Sequence, residues 1–201
     1  MNVKLLKKGK TRVEFNVKGV DIKLLNTLRR IVISEIPTMA IEKVIVDDNN
    51  SVLHDQLLAH RLGLIPLTTD LKTYIFPWDC SCKGKGCGKC TAILSLDVKG
   101  PGVIHTSDMK SKDPKVKPVY DTSIIAKLSD KHRIKLKAEA VLGQGRDHIK
   151  WQSGLASYLQ KKDDSFDFFI ESYGQLPVKE LTIKAFTYLE DEITELKKQF
   201  K

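Results

Sequence analysis

Four cysteines fall within eleven residues, Cys80, Cys82, Cys87 and Cys90 in the string DCSCKGKGCGKC, and the chain has no others. The pattern C-x-C-x4-C-x2-C offers four soft thiolates from two short pairs, a donor set that tetrahedral zinc uses in structural sites. Disulfides explain it less well, because a Cys80–Cys82 bridge would close a very small ring and short loops gain little from closure. Gly84, Gly86 and Gly88 between the cysteines can adopt the positive φ that tight turns need. Lys83, Lys85 and Lys89 stand where they could offset the net charge of about −2 left on Zn²⁺ by four thiolates. The expectation is one structural Zn²⁺ per chain. An iron–sulfur cluster also takes four cysteines, but the ferredoxin spacing C-x2-C-x2-C is absent; an empty site is the third alternative. Four protein ligands leave no position open for a catalytic water, and His54, His60 and His105 are expected at the surface or an interface rather than on the metal.

No catalytic constellation accompanies the cysteines. The chain lacks G-x-S-x-G, a P-loop, H-E-x-x-H and a G-x-G-x-x-G after a strand. Asp147 and His148 are neighbours in sequence, and adjacent side chains rarely face one site. No catalytic residue is expected.

The elements that must position the cysteine loop follow from periodicity. Val13, Phe15 and Val17 alternate with polar residues as in a half-buried strand. A helix follows, with Asp21 as N-cap, an apolar stripe of Leu24, Leu25, Leu28, Ile31 and Val32, and a stop at Pro37. Ile41–Val46 reads as a strand ending in the turn Asp47-Asp48-Asn49-Asn50, and DQLLAHRLG as a short helix. Ala92, Leu94, Leu96 and Val98 alternate after the cysteines, as do Ile134, Leu136, Ala138 and Ala140 later. The stretch from Ser107 to Pro118 reads as a surface loop. FDFFIES is a strand, Gly174 a turn, and Pro177 the opening of a long helix with Leu181, Ala185, Leu189, Ile193, Leu196 and Phe200 stepping by three and four. Such a helix exceeds what a single chain of this size usually needs, so one side is read as core and the other as a subunit interface; a helix simply packed on its own sheet is the alternative reading.

The chain has 201 residues with a formal net charge of +9, 41% apolar and 29% charged. These values suit a globular protein of one or two domains. The basic balance admits a nucleic-acid partner, although charge speaks to solubility and steering rather than to function. No apolar run approaches the ~20 residues of a membrane span, and the first residues lack a signal-peptide apolar stretch, so a cytoplasmic protein without a membrane partner is expected.

Several segments together carry a family resemblance. NTLRRIVISEIPTMAI (26–41), LLAHRLGLIPL (57–67), LGQGRDHIKW (142–151) and the terminal strand with its long helix resemble the larger of the two alpha-like subunits of archaeal RNA polymerases. That family is similar to the eukaryotic third-largest subunit and to the N-terminal domain of bacterial alpha. The resemblance implies an α+β fold: a discontinuous alpha-type dimerisation domain (1–40 plus 145–201) and an inserted β-rich domain (41–144) carrying the metal loop at 80–90. It implies a non-catalytic assembly platform that pairs with a small alpha-like subunit of the L type and then meets the large subunits, with no direct DNA contact. The interface residues so implied are Leu28, Arg29, Arg30, Leu181, Ala185, Leu189, Ile193 and Leu196. Arg29 and Arg30 match the family's Leu-Arg-Arg and the loop 143–151 another large-subunit contact. Some archaeal relatives insert an iron–sulfur module between the regions of Trp151 and Phe166; here fourteen residues without cysteine separate them, and no cluster is expected there. A free-standing zinc-loop protein that binds nucleic acid is the alternative function.

Overall fold

A computed structural model of the chain describes residues 2–200. The order of elements is β1 (Asn2–Lys8), β2 (Arg12–Lys18), α1 (Ile22–Ser34), β3 (Thr38–Asn49), α2 (Asp55–Gly63), β4 (Thr91–Lys99), β5 (Gly102–His105), β6 (Lys110–Ser111), β7 (Ile124–Leu128), β8 (Arg133–Gly143), β9 (Gly154–Gln160), β10 (Ser165–Ser172) and α3 (Val178–Gln199). The chain divides into two compact units: Thr38–Gly143, and the segments on either side of it joined together.

In the discontinuous unit the strands form an antiparallel sheet in the order β1-β2-β10-β9. Register sets Phe15 opposite Phe168 and Phe168 opposite Tyr158. Their rings stack at 5.3 and 6.2 Å between centroids. Helix α1 covers β9, and α3 lies against α1, β10 and β2. Asp21 caps α1 by accepting from the Lys23 N–H at 2.8 Å. Leu25, Leu28, Ile31 and Val32 are buried, whereas Leu24, the fifth member of the expected stripe, faces solvent. Pro177 occupies the N-cap of α3, one position before the first helical residue. At 22 residues, α3 is about 33 Å long.

The last carbonyls of α1 would be orphans in an isolated helix. Here the segment after β8 satisfies them. Ser153 Oγ donates to the Val32 carbonyl at 2.7 Å, the Arg146 N–H to Ser34 at 3.1 Å, and Gln144 Nε2 to Glu35 at 2.8 Å. Gly145 is required by this close approach, because a Cβ there would collide with the Ile33 carbonyl.

The continuous unit is built on the sheet β3-β8-β4-β6 with the pair β5-β7. Met39, Ile41, Leu94, Leu96, Leu136 and Ala138 form its core, closed by Leu58 and Leu62 of α2. Three expectations need correction here. Strand β3 does not stop at Val46 but continues through Asp47 and Asp48, which face Lys135 of β8; that cation makes the acidic strand end tolerable. The segment 107–118 is not a bare surface loop: it contains β6, paired with Leu94 and Ser95 of β4, and buries Met109 and Val116. Two apolar anchors seven residues apart leave no periodicity to read. Strands β1, β5, β7 and β9 come in addition to the elements read from periodicity, and β1 exposes all seven of its residues.

Candidate metal centre and subunit surface

The cysteine loop is fixed at both ends before any sulfur is considered. Upstream, Asp70 is a hub. Its carboxylate accepts from Lys115 Nζ and Thr73 Oγ1, both at 2.7 Å, and from the Lys72 N–H at 3.0 Å. The Lys115 ammonium, then Thr73 and the Lys72 amide, hold the Asp70 carboxyl well below the usual carboxylate range. Tyr74, four residues on, is buried and donates its hydroxyl hydrogen to Asp113 at 2.7 Å; burial and that carboxylate push its pKa up. Downstream, Cys90 is fully buried and runs directly into β4 at Thr91.

Between these anchors three turns gather the sulfurs. The Lys83 N–H bonds the Cys80 carbonyl at 2.8 Å, the Lys85 N–H that of Cys82 at 3.2 Å, and the Cys90 N–H that of Cys87 at 3.0 Å. Gly84 and Gly86 take positive φ as expected, but Gly88 does not, and Lys83 takes it instead at 53°. All four Sγ atoms lie within 4.8 Å of one another. Cys80–Cys87 is 3.4 Å, Cys82–Cys90 3.5 Å and Cys87–Cys90 3.9 Å. A disulfide requires about 2.0 Å, and all four cysteines are free. Sulfurs at about 2.3 Å from a tetrahedral ion would stand ~3.8 Å apart, close to the observed edges. The donor set and its spacing therefore fit a metal ion.

The four thiols differ in acidity. Contact with the Cys80 thiol holds Cys82 below the ordinary thiol range. For Cys80, the Cys82 amide favours ionisation, but burial and the three neighbouring sulfurs outweigh it and push the thiol up. Ionising all four would set like charges against one another, and a cation among the sulfurs would offset them. Among the described residues, these cysteines form the one cluster of three or more potential metal ligands. His54 and His60 are exposed, and His148 Nδ1 accepts from the Lys150 N–H at 3.1 Å, a capping role rather than an acid–base one.

The residues named from sequence for a subunit surface separate into three groups. Leu28, Leu181 and Ala185 are closed to solvent and hold α1 and α3 onto their own sheet, so none offers area to another chain. Arg29 is half-buried, with Nε and Nη2 donating to Asn26 Oδ1 at 3.1 and 3.0 Å, whereas Arg30 is exposed. Leu189 is half-buried, and Ile193 and Leu196 are exposed at 44% and 55%. Two further apolar residues of α3, Ile183 and Phe186, are also exposed. From Phe186 the steps to Leu189, Ile193, Leu196 and Phe200 are 3, 4, 3 and 4, a seam of the kind that packs against another helix. Phe186 lies between the residues read as interface, and the heptad step is the signal that could have found it.

Among the described residues, no helix is long and apolar enough to cross a membrane. Residues 24–157 match the family described as the RNA polymerase Rpb3/RpoA insert domain. Among similar proteins, the DNA-directed RNA polymerase subunit Rpo3 of Methanosphaera stadtmanae is 44% identical over 158 residues, covering 76% of this chain and 58% of the relative. The Rpo3 subunit of Pyrobaculum calidifontis is 43% identical over 158 residues, 78% of this chain and 61% of the relative. That of Pyrococcus furiosus is 39% identical over 158 residues, 79% and 58% respectively. The chain thus spans about three-fifths of the length of the relatives it matches.

Proposed function

The chain belongs to the RNA polymerase Rpb3/RpoA insert-domain family, and from that premise we propose that it is a non-catalytic subunit of a DNA-directed RNA polymerase. Its role is assembly. The discontinuous unit serves as the dimerisation platform, and Thr38–Gly143 as the inserted domain that carries the metal loop. The observation that carries this reading is the apolar seam of α3, from Phe186 to Phe200, left largely uncovered. A seam of this kind weakens solubility unless another chain covers it. The partner is a small alpha-like subunit of the L type, which packs on Leu189, Ile193 and Leu196. Arg30 and the loop 144–151, where Ile149 is 66% exposed, then meet the large subunits.

The metal is Zn²⁺, held by Cys80, Cys82, Cys87 and Cys90. When bound it supplies a charge-balancing, shape-fixing centre and no reactive position, since all four ligands come from the chain. The cysteines tie the loop into β4 through Cys90, so the ion's contribution falls on the inserted domain. The catalytic work of the polymerase belongs to other subunits. Affinity purification of the tagged chain from its native cells tests the assignment. Recovery of large polymerase subunits with templated RNA synthesis supports it; recovery of the chain alone refutes it.

A further inference from the structure

Strand β1 is an outer edge of the sheet β1-β2-β10-β9, and no strand among the described residues pairs with its far side. All seven of its residues are exposed. An edge of this kind presents a row of backbone N–H and C=O groups with which another strand can pair.

The register on β2 decides which way each side chain of β1 points. Val3 lies opposite Val17 and Leu5 opposite Phe15, so both stand on the buried side of the sheet, yet they are 54% and 57% exposed. Helix α3 lies against β10 and β2 and leaves a groove of about 350 Å³ beside Leu5, with Val13, Val178 and Ile183 as its apolar walls. Lys4 lies opposite Asn16 and Lys7 opposite Glu14, on the other side of the sheet. The register shifts between Leu5 and Lys7, so Lys8 comes opposite Val13 and borders the groove, where Lys10 and Lys179 join it.

The charge along this edge has one sign. From Asn2 to Thr11 the chain carries four lysines and no acidic residue. Of the β2 residues opposite β1, only Glu14 is acidic, and its carboxylate pairs with Arg12 Nε at 2.8 Å. No carboxylate among the described residues lines the groove. Lysines on an edge keep like edges apart, so a second copy of β1 is a poor occupant. Opposite charge, by contrast, selects a partner and fixes its register.

We propose that β1 is a strand-addition site for an extended segment of another protein in which apolar and acidic residues alternate. The segment continues the ladder beyond β1. Its residues opposite Val3 and Leu5 are apolar and fill the groove side, and those opposite Lys4 and Lys7 are acidic. Main-chain hydrogen bonds supply the affinity and the alternate side chains the specificity. The inference rests on the sheet edge and its charge, and not on the polymerase assignment, the metal loop or the seam of α3.

Peptide binding to the full chain tests it. The probe is a fluorescein-labelled, amidated peptide of five Val-Glu repeats, and its control has the same composition with the valines at helical spacing. Fluorescence anisotropy follows binding, and amide hydrogen exchange locates it. The Val-Glu peptide is expected to bind, to slow exchange at residues 2–8, and to bind about tenfold or more tighter than the control. Lys4 and Lys8 lie opposite no carboxylate of β2. The K4E/K8E variant is therefore expected to stay folded by circular dichroism and to lose about tenfold or more in affinity, with K4Q/K8Q intermediate. No binding, equal binding of the control, or an affinity that neither variant changes overturns the proposal. So does binding that leaves exchange at residues 2–8 as it was, because the peptide then sits elsewhere. No polymerase subunit enters the experiment, so none of these outcomes bears on the assembly role.

Discussion

Tyr188 of α3 donates its hydroxyl hydrogen to the Glu35 carboxylate at the end of α1, at 3.3 Å. The same carboxylate oxygen pairs with Arg146 Nη1 at 3.3 Å, and the Glu35 carbonyl accepts from Gln144. One residue therefore ties together the two helices of the discontinuous unit and the segment that follows β8. Burial, and then the nearby Glu35 charge, push Tyr188 up to about 12, so it remains a donor throughout the physiological range. Tyr188→Phe removes that donor and leaves the ring in place. It is expected to lower stability by about 1 kcal/mol in urea unfolding, with Glu35→Gln showing at least as large a loss because the Arg146 pair goes too.

Gly145 gives a sharper steric test. Its backbone rests on the Ile33 carbonyl with no space for a Cβ. Gly145→Ala is expected to cost about 1–3 kcal/mol, the range for overpacking a close contact. Gly88→Ala, where a Cβ meets nothing within 4 Å, is expected to be near neutral.

The Asp70 hub predicts acid lability confined to the continuous unit. Its folded pKa is depressed by Lys115, Thr73 and the Lys72 amide, so its stabilisation is fully present above the ordinary unfolded value near pH ~4. As pH falls below that point the unfolded chain takes up the proton first, and the contribution is lost. Asp70→Asn should lower the urea midpoint at neutral pH, and the curves of variant and parent should converge in acid. Equal midpoints at pH 7 would refute the hub.

Metal content follows from the sulfur geometry. Elemental analysis is expected to find one zinc per chain and no visible absorbance near 400 nm, where a brown iron–sulfur protein would absorb. Cys87→Ser should lose the metal and increase proteolytic cleavage between residues 79 and 91. It should leave pairing with the small alpha-like subunit intact, because the seam belongs to the other unit.

The sequence was informative wherever a signal was local. The four cysteines lie within eleven residues, so their convergence needed no knowledge of the fold. Helices α1 and α3 and strands β4 and β8 declared themselves by the spacing of residues buried on one face. Strand β1 did not, because an edge strand with seven exposed residues and four lysines by position 10 has no buried face to mark. Met109 and Val116 are buried seven residues apart with exposed residues between them, and two such anchors make no pattern. Nor could periodicity separate Leu181 and Ala185, which the unit uses for its own core, from Ile193 and Leu196, which it leaves bare. All four lie on apolar steps of one helix. What differs is that the buried residues of the helix stop at Ala185, a fact of tertiary placement. The Tyr188–Glu35 bond spans 153 positions and carries no local trace at all.

The discontinuous unit is, on this reading, a platform that a small alpha-like subunit completes. Co-expression with that L-type subunit, followed by light scattering on the purified material, tests it most directly. A stable 1:1 complex is expected, one that Leu189→Glu with Ile193→Glu abolishes while each chain stays folded. A chain that ignores the small subunit, or a complex indifferent to that double substitution, would contradict it.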